Sequence, residues 1–353
     1  MPIITLAIIA YALFLVQNIS YKKLWKKGLS YTVRFSSKEN FENDTVYIKE
    51  ELVNKKFLPL PWVHVKTTIP NGLMATDANN VAGSSLFSIG KYMAKRKKTC
   101  VVCKNRGVYR LRYSQIVVSD LLHATHFSDE FNQSNDEMVV FPRFIEDSHE
   151  LNVLFKMLDS AVISNQLINP DPFEFRGLRD YQPTDTLKSV NFKASAIAQK
   201  LMVNVHAPTS AKRITFVLNL DSEGRDGLDV ELYEQSIRLV ATLVQHFIKQ
   251  DALVGFITNG CDASTLNPMK VSAGTSQPHL FKILGCLARI SLNFNYHGIK
   301  PFAEENQVYV FISPSKKITP TVQEMQKRGV DVLLIVPYFT DGSGEYAWEC
   351  SKL

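Results

Sequence analysis

The sequence predicts a multidomain α+β protein with an N-terminal membrane helix, a β-sandwich-like domain and an α/β doubly wound domain. Three observations predict it: an uncharged apolar run at the N-terminus, short alternating runs from about Tyr31 to Phe141, and a strand–helix rhythm from Lys212 onward. A chain of 353 residues is long enough for more than one hydrophobic core.

Composition excludes several classes of protein. Hydrophobic residues make up 45% and charged residues 21%, which is ordinary for a globular protein and unlike a disordered one. The net charge of +6 comes from two lysine-rich clusters, 22–27 and 91–98, so nucleic-acid binding is not predicted. The five cysteines are an odd number spread widely, which suits a reducing compartment. Cys100 and Cys103 form one C-x-x-C, and the surrounding pattern makes them ordinary strand positions.

Residues 1–28 are predicted to be a membrane anchor with a basic flank. The run from Ile3 to Val16 spans only ~21 Å, but counting through Ile19 gives ~28 Å, close to the ~30 Å hydrocarbon core. Tyr21 and Trp25 would then lie at the membrane interface. A signal peptide and a core helix are the alternatives. The run lacks the basic start and cleavage site of the first, and it is apolar on all sides, unlike the second. Lysines that follow the span place the rest of the chain in the cytoplasm.

Residues 29–146 are predicted to form the β-rich domain. Short runs rich in β-branched and aromatic residues, such as 45–54 and 62–69, are separated by turn residues, as in a sandwich or small barrel. The run "KYMAKRKK" at 91–98 is interpreted as a solvated loop or an edge-strand guard, or alternatively as a contact with anionic lipid.

Residues 147–211 are predicted to be a bridging segment. Residues 148–163 have helical spacing, and 201–207 alternate as a strand. Between them, 186–201 are predicted to be a second helix with Asp185 as its N-cap.

Residues 212–353 alternate between apolar strands and amphipathic helices, which predicts a mostly parallel sheet with helices on both faces. Ligands bind such sheets beyond the carboxyl ends of the strands. Asn219, Asp221 and Glu223 follow the first of these strands, and Thr275 could supply a further oxygen to a cation. The alternative is an ordinary polar strand-to-helix turn. No familiar hydrolase, ATPase or dinucleotide-binding motif is present in the sequence.

The stretch "EFRGLRDYQPTDTLKSVNFKASA", residues 174–196, resembles the signature of the DUF58 family. The matching residues are Glu174, Gly177, Leu178, Arg179, Asp180, Tyr181, Pro183, Asp185, Lys193, Ala194, Ser195 and Ala196. Thr184, Lys188 and Phe192 depart from the pattern, where the family has Gly, Arg and Trp. Lys188 keeps the charge but loses bidentate pairing, and Phe192 keeps an apolar anchor without its N–H.

The resemblance implies a membrane-anchored protein with a β-rich region, the signature and a von Willebrand factor A-like domain, working with a MoxR-type AAA+ ATPase. It implies no enzymatic activity. A complete metal site of that domain has an Asp-x-Ser-x-Ser loop, a Thr and a later Asp. This chain departs from it, so the resemblance implies at most Mg²⁺ at a degenerate site formed by Asn219, Asp221, Glu223 and Thr275.

The leading hypothesis is therefore a non-enzymatic scaffold whose signature binds a partner. The partner-binding candidates are Glu174, Arg176, Gly177, Arg179, Asp180, Tyr181, Pro183, Asp185, Lys193 and Ser195. A rigid corner or hinge between domains would explain the same charges equally well, because paired charges at a buried junction are costly to break singly. A hydrolase using the acidic residues with Arg179, and a lipid-surface sensor using the lysine clusters, are the alternatives.

Overall fold

The computed structural model describes residues 2–76, 83–111, 113–132, 136–168, 170–208, 213–221, 229–262, 267–292, 299, 308–339 and 346–351. The protein is a mixed α+β chain with an apolar N-terminal helix and several sheets. It divides into two compact units, Met1–Arg143 and Phe144–Leu353. The further predicted division of the second unit into 147–211 and 212–353 stays a prediction.

Helix α1 (Pro2–Leu24) is the apolar run found in the sequence, extended to include Lys22 and Lys23 in its last turn. It is long and apolar enough to cross a membrane. Its large apolar side chains are exposed as far as Ile19, whereas Tyr21 is fully buried and Trp25 nearly so. The expectation that Tyr21 and Trp25 lie at the membrane interface is therefore wrong: both belong to the hydrophobic core of the first unit.

Eleven strands follow α1 in the described part of the first unit. They are β1 (Leu29–Phe35), β2 (Glu39–Phe41), β3 (Thr45–Asn54), β4 (Leu60–Thr67), β5 (Leu73–Ala75), β6 (Ser84–Ile89), β7 (Ala94–Cys103), β8 (Gly107–Arg110), β9 (Tyr113–Ser119), β10 (His126–Asn132) and β11 (Glu137–Phe141). Two four-stranded sheets have the orders β1-β3-β7-β5 and β10-β9-β4-β6, and a three-stranded sheet has the order β2-β11-β8.

The two four-stranded sheets share one hydrophobic core. Side chains of β1 and β3 alternate between buried and exposed, which places every second residue on the inner face. Val33 and Ile48 from one sheet lie in the same core as Val65 and Ile116 from the other. This is the packing expected of the predicted β-sandwich-like domain.

The lysine-rich run at 91–98 is not a solvated loop, because Ala94–Lys98 form the first half of β7. Their partners on β3 include Glu50, opposite Lys97, and Glu51, opposite Arg96. Arg96 forms an ion pair with Glu51 at 2.7 Å. The opposite charges on β3 are what make a strand of these cations favourable.

The second unit contains five helices and eight strands among the described residues. In chain order these are α2 (His149–Ile168), β12 (Pro170–Asp180), α3 (Phe192–Ala198), β13 (Met202–Pro208), β14 (Arg213–Leu218), α4 (Asp229–Lys249), β15 (Leu253–Cys261), β16 (Pro268–Gly274), α5 (Gln277–Arg289), β17 (Val308–Ile312), α6 (Thr319–Lys327), β18 (Val332–Phe339) and β19 (Tyr346–Ser351).

A six-stranded sheet has the order β16-β15-β14-β17-β18-β19. Its four inner strands are parallel, as predicted, and the two edge strands are antiparallel. Phe216 contacts Phe247 of α4, while its neighbour Val217 shares a core with Met325 of α6. Successive strand residues point to opposite faces, so helices cover both faces of this sheet.

Candidate functional site

The signature folds as an antiparallel hairpin with a helical insert, here called the signature hairpin (170–208). β12 pairs with β13, so that Arg179 lies opposite Val203 and Asp180 opposite Met202. The backbone N–H of Tyr181 extends the pairing by donating to the carbonyl of Leu201 at 2.9 Å. The whole hairpin lies inside the second unit, which corrects the expectation of a hinge between domains.

Asp185 closes the turn that leaves β12. Both terminal nitrogens of Arg179 donate to its carboxylate, each at 2.6 Å, and the backbone N–H of Gln182 donates at 2.8 Å. The hydrogen bond from Arg179 is the main reason that the pKa of Asp185 lies below its usual range. Asp185 is therefore not the N-cap of a helix, as the sequence predicted.

The predicted helix at 186–201 is shorter and divided. A 3₁₀ turn at Leu187–Ser189 precedes α3, and Asn191 is the N-cap, accepting from the N–H of Ala194 at 3.0 Å. The Ser195 hydroxyl donates to the Asn191 carbonyl at 2.7 Å and accepts from the N–H of Met202 at 2.8 Å. Ser195 thus fastens α3 to the beginning of β13, which gives it a structural role.

The remaining predicted partner-binding residues do not converge on one point. Asp180 pairs with Lys200 at 2.8 Å, and Pro183 and Lys193 are exposed. A Cβ added at Gly177 would meet nothing within 4 Å, so packing does not require glycine there. The side chains of Glu174 and Arg176 lie outside the described residues.

Exposed apolar side chains are the feature of the signature hairpin that sequence reasoning missed. Six large ones, here called the apolar signature surface, are Phe175, Leu178, Leu187, Phe192, Ile197 and Leu201. Phe192 is 73% exposed and Ile197 is 79% exposed. The predicted helical face of Leu187, Val190, Ala194 and Ile197 does not exist, since only Val190 of the four is buried. Apolar residues at broken helical spacing were the signal available in the sequence.

At the carboxyl edge of the six-stranded sheet, where the cation site was predicted, Asn219 belongs to a chain of hydrogen bonds. Asn219 is buried, its amide oxygen accepts from Asn259 at 3.1 Å, and its amide nitrogen donates to the Ser313 hydroxyl at 3.1 Å. Ser313 in turn donates to the carbonyl of Ser315 at 2.8 Å. These bonds connect the ends of β15, β14 and β17, so Asn219 joins strands there.

Thr275 does not approach Asn219 and Asp221. Gly274, the residue before it, pairs with Val254 near the beginning of β15, and Val254 lies beside Ile214 at the beginning of β14. Five residues of strand, about 16 Å, therefore separate that level from Asn219. The antiparallel direction of β16 is the cause, and it overturns the prediction that Thr275 completes the site. Glu223 lies outside the described residues.

Within the described residues, no three His, Cys, Asp or Glu side chains are grouped closely enough to hold a metal ion.

Comparisons with known proteins add little. No family model matches the chain. No curated protein matches it either. Among solved structures, a CARDB domain from Pyrococcus furiosus has 15% identity, covers 32% of this chain and 94% of its own, and gives a TM-score of 0.21. The cupredoxin domain of amoB from Nitrosocaldus yellowstonii has 10% identity and covers 35% and 94%, with a TM-score of 0.23. A cohesin from Archaeoglobus fulgidus has 14% identity and covers 31% and 91%, with a TM-score of 0.23. TM-scores this low do not establish a shared fold.

Proposed function

We propose that this chain is a membrane-anchored, non-enzymatic interaction protein whose signature hairpin binds a cytoplasmic partner, by resemblance to the DUF58 family a MoxR-type AAA+ ATPase. The observation that carries the proposal is the apolar signature surface. Single exposed apolar residues are ordinary, whereas a concentration of them in one structural element marks an interaction site.

The polar residues of the signature support the proposal by supplying rigidity. Arg179 with Asp185 and Asn191 with Ser195 bond to each other within the hairpin. A surface held in place before binding loses less conformational entropy when a partner arrives. The charged residues of the signature then support the surface, and the apolar side chains are its contact area.

A hydrolase using the same residues is less well supported. A general acid needs a pKa near the working pH, whereas Arg179 lowers the pKa of Asp185 and keeps it ionised. Asp180 is engaged by Lys200. Among the described residues, neither carboxylate has a neighbour that would prepare it to transfer a proton.

The anchor is the first 19 helical residues of α1, from Pro2 to Ser20, which span about 28 Å before Tyr21 enters the core. Lys22 and Lys23 follow this span, which favours a cytoplasmic location for both units. We also propose that the sheet of the second unit is the core of a doubly wound, von Willebrand factor A-like domain. Because Asn219 is bonded to Asn259 and Ser313, partner binding through this domain would not need a bridging metal.

Co-purification tests the proposal. The full chain, solubilised in detergent, is mixed with a MoxR-type ATPase from the same organism. Wild type is compared with Phe192→Ser/Ile197→Ser and with the matched control Val230→Ser/Tyr338→Ser, which changes two exposed apolar residues elsewhere in the second unit. We expect wild type and control to retain the ATPase and the signature variant to lose it with an unchanged melting temperature. Equal retention by all three would refute docking through this surface.

A further inference from the structure

We propose that the first unit contacts the bilayer a second time, through an apolar collar of Phe57, Trp62, Leu121 and Leu122 that inserts into the headgroup region around the base of α1. The inference rests on the proposed membrane anchoring and adds a lipid-binding surface to it. The four side chains are 69%, 45%, 52% and 64% exposed, respectively.

The contacts of the two residues after α1 show which end of the β9–β10 hairpin points toward the membrane. Past Tyr21, Trp25 stacks on Phe127 with ring centroids 6.2 Å apart, and Lys26 forms an ion pair with Asp129. Both partners lie on β10, and Phe127 is closer to the hairpin tip than Asp129 is. The residue nearer the anchor, Trp25, therefore contacts the position nearer the tip. The tip, which carries Leu121 and Leu122, therefore points toward the membrane-spanning part of α1.

The loop before β4 lies beside this tip. The Tyr21 hydroxyl donates to the carbonyl of Pro59 at 2.7 Å, at the point where α1 enters the core. Trp62 lies opposite Ser119, the last residue of β9, and its ring contacts that of His123 with centroids 5.6 Å apart. Trp62 and the tip therefore lie side by side, and Pro59, three residues before Trp62, contacts the end of α1.

The hairpin tip is rigid as well as exposed. One carboxylate oxygen of the buried Asp120 accepts from the N–H groups of Ala124 and Thr125, at 2.7 and 3.3 Å. This closes the turn that presents Leu121 and Leu122, so their exposure is a fixed feature of the fold. Two adjacent leucines held outward are costly in water and favourable in lipid.

The charges around the collar fit an anionic leaflet. Lys22 and Lys23 are exposed in the last turn of α1, and the Lys91 ammonium lies 4.9 Å from the centre of the Phe57 ring. Aromatic residues beside lysines are the side chains typical of the membrane interface. Anionic lipids of the cytoplasmic leaflet attract such lysines, which agrees with the proposed orientation.

Depth-dependent quenching tests the collar. The full chain is reconstituted into vesicles of equimolar phosphatidylcholine and phosphatidylglycerol, with or without brominated phosphatidylcholine, and its flotation and tryptophan emission are measured. Trp62→Phe isolates the contribution of Trp62 from that of Trp25 and Trp348. Leu121→Ser/Leu122→Ser removes the tip, and Met74→Ser is the matched control, since Met74 is exposed and lies opposite Val102, at the end of β7 remote from the collar.

We expect the brominated lipid to quench a component of emission that Trp62→Phe lacks, that Leu121→Ser/Leu122→Ser loses and that Met74→Ser keeps. A chain that floats with the vesicles but shows no quenched Trp62 component would overturn the collar and leave the anchor standing. Trp62 emission that changes only with protein concentration would also overturn it, by assigning the surface to a second copy of the chain. A wild-type chain that does not float would overturn both proposals.

Discussion

Arg179 and Asp185 form a bidentate ion pair. The two terminal guanidinium nitrogens of Arg179 donate to different carboxylate oxygens of Asp185, each at 2.6 Å. The two residues are six apart in the chain and occupy the two sides of the turn that leaves β12. Because the pair spans the turn, these charged side chains bond within the signature hairpin. The apolar side chains of the hairpin are the ones that face outward.

Replacing Arg179 by lysine should raise the pKa of Asp185 toward its ordinary value, since a lysine offers no planar pair of donors. The lowered pKa means that the pair stabilises the fold fully above the unfolded-state value of about 3.9, and that this contribution is lost as the pH falls further. Titration of the Asp185 carboxyl carbon by NMR measures the shift. Lys200→Ala, which removes the partner of Asp180 instead, should leave the Asp185 titration unchanged.

Removing the Asn219 side chain should destabilise the second unit without removing any exposed contact. Asn219→Ala removes the two hydrogen bonds that the buried Asn219 side chain makes with Asn259 and Ser313, and such losses cost about 1–3 kcal/mol. The free energy of unfolding in urea measures it. Ser315→Ala serves as the control, because it removes a hydroxyl outside this chain of hydrogen bonds, one that accepts from the backbone N–H of Lys317 at 3.3 Å. A change in stability no larger than the control's would mean that Asn219 does not join the strands.

A buried carboxylate links the two sheets of the first unit. Glu50 accepts from the hydroxyls of Tyr31 and Ser85, each at 2.6 Å, and Tyr31 also contacts Thr67 on the opposite sheet at 3.1 Å. Tyr31→Phe should cost about 1.5–3 kcal/mol in the free energy of unfolding, as for other hydrogen bonds to charged groups. Tyr47→Phe is the matched control, because Tyr47 is exposed on β3.

The same tyrosine should give the first unit an alkaline limit. Burial, followed by the nearby charge of Glu50, raises the pKa of Tyr31 well above its usual value of about 10. A raised pKa means that the stabilisation is complete below pH ~10 and is lost as the pH rises above it. We expect Tyr31→Phe to flatten this alkaline loss of stability, as measured by denaturation at a series of pH values. An identical pH profile for wild type and variant would contradict this role.

The burial of Trp25 predicts that the chain just after the anchor is part of the folded first unit. Trp25→Ala should cost about 3–5 kcal/mol, the range for truncating a large core side chain. Unfolding of the full chain in detergent measures it. Trp62→Ala should cost much less under the same conditions, because the Trp62 side chain is 45% exposed on the folded unit. Equal costs would place Trp25 outside the core.

Most strands and helices could be predicted because their residues are patterned along the chain itself. The alternation in 45–54 matches β3 residue for residue, and the strand predicted at 307–313 contains β17. β16 and β19 were missed because half of their residues are polar or small, so they lack the continuous apolar run of the inner strands. The antiparallel direction of β16 determines where Thr275 lies. A strand's direction depends on the strand it pairs with, and the local sequence pattern carries no information about that pairing.

The helix predicted at 186–201 in the signature was wrong for a different reason. Leu187, Val190, Ala194 and Ile197 have helical spacing, but Asp185 is held by Arg179 and Asn191 offers a better cap, so the helix begins at Phe192 instead. The Asp185 carboxylate could bond either to a helix N-terminus or to a guanidinium, and the tertiary structure determines which partner it has. The same shift left Leu187 and Ile197 exposed, and thereby produced the surface on which the proposed function depends.

Hydrogen exchange of the full chain with and without the MoxR-type ATPase tests that function most directly. We expect slower exchange confined to the signature hairpin (170–208), with Phe192→Ser/Ile197→Ser abolishing the protection. Protection that appears only at the carboxyl edge around Asn219, or none in the signature hairpin while the ATPase stays bound, would contradict it.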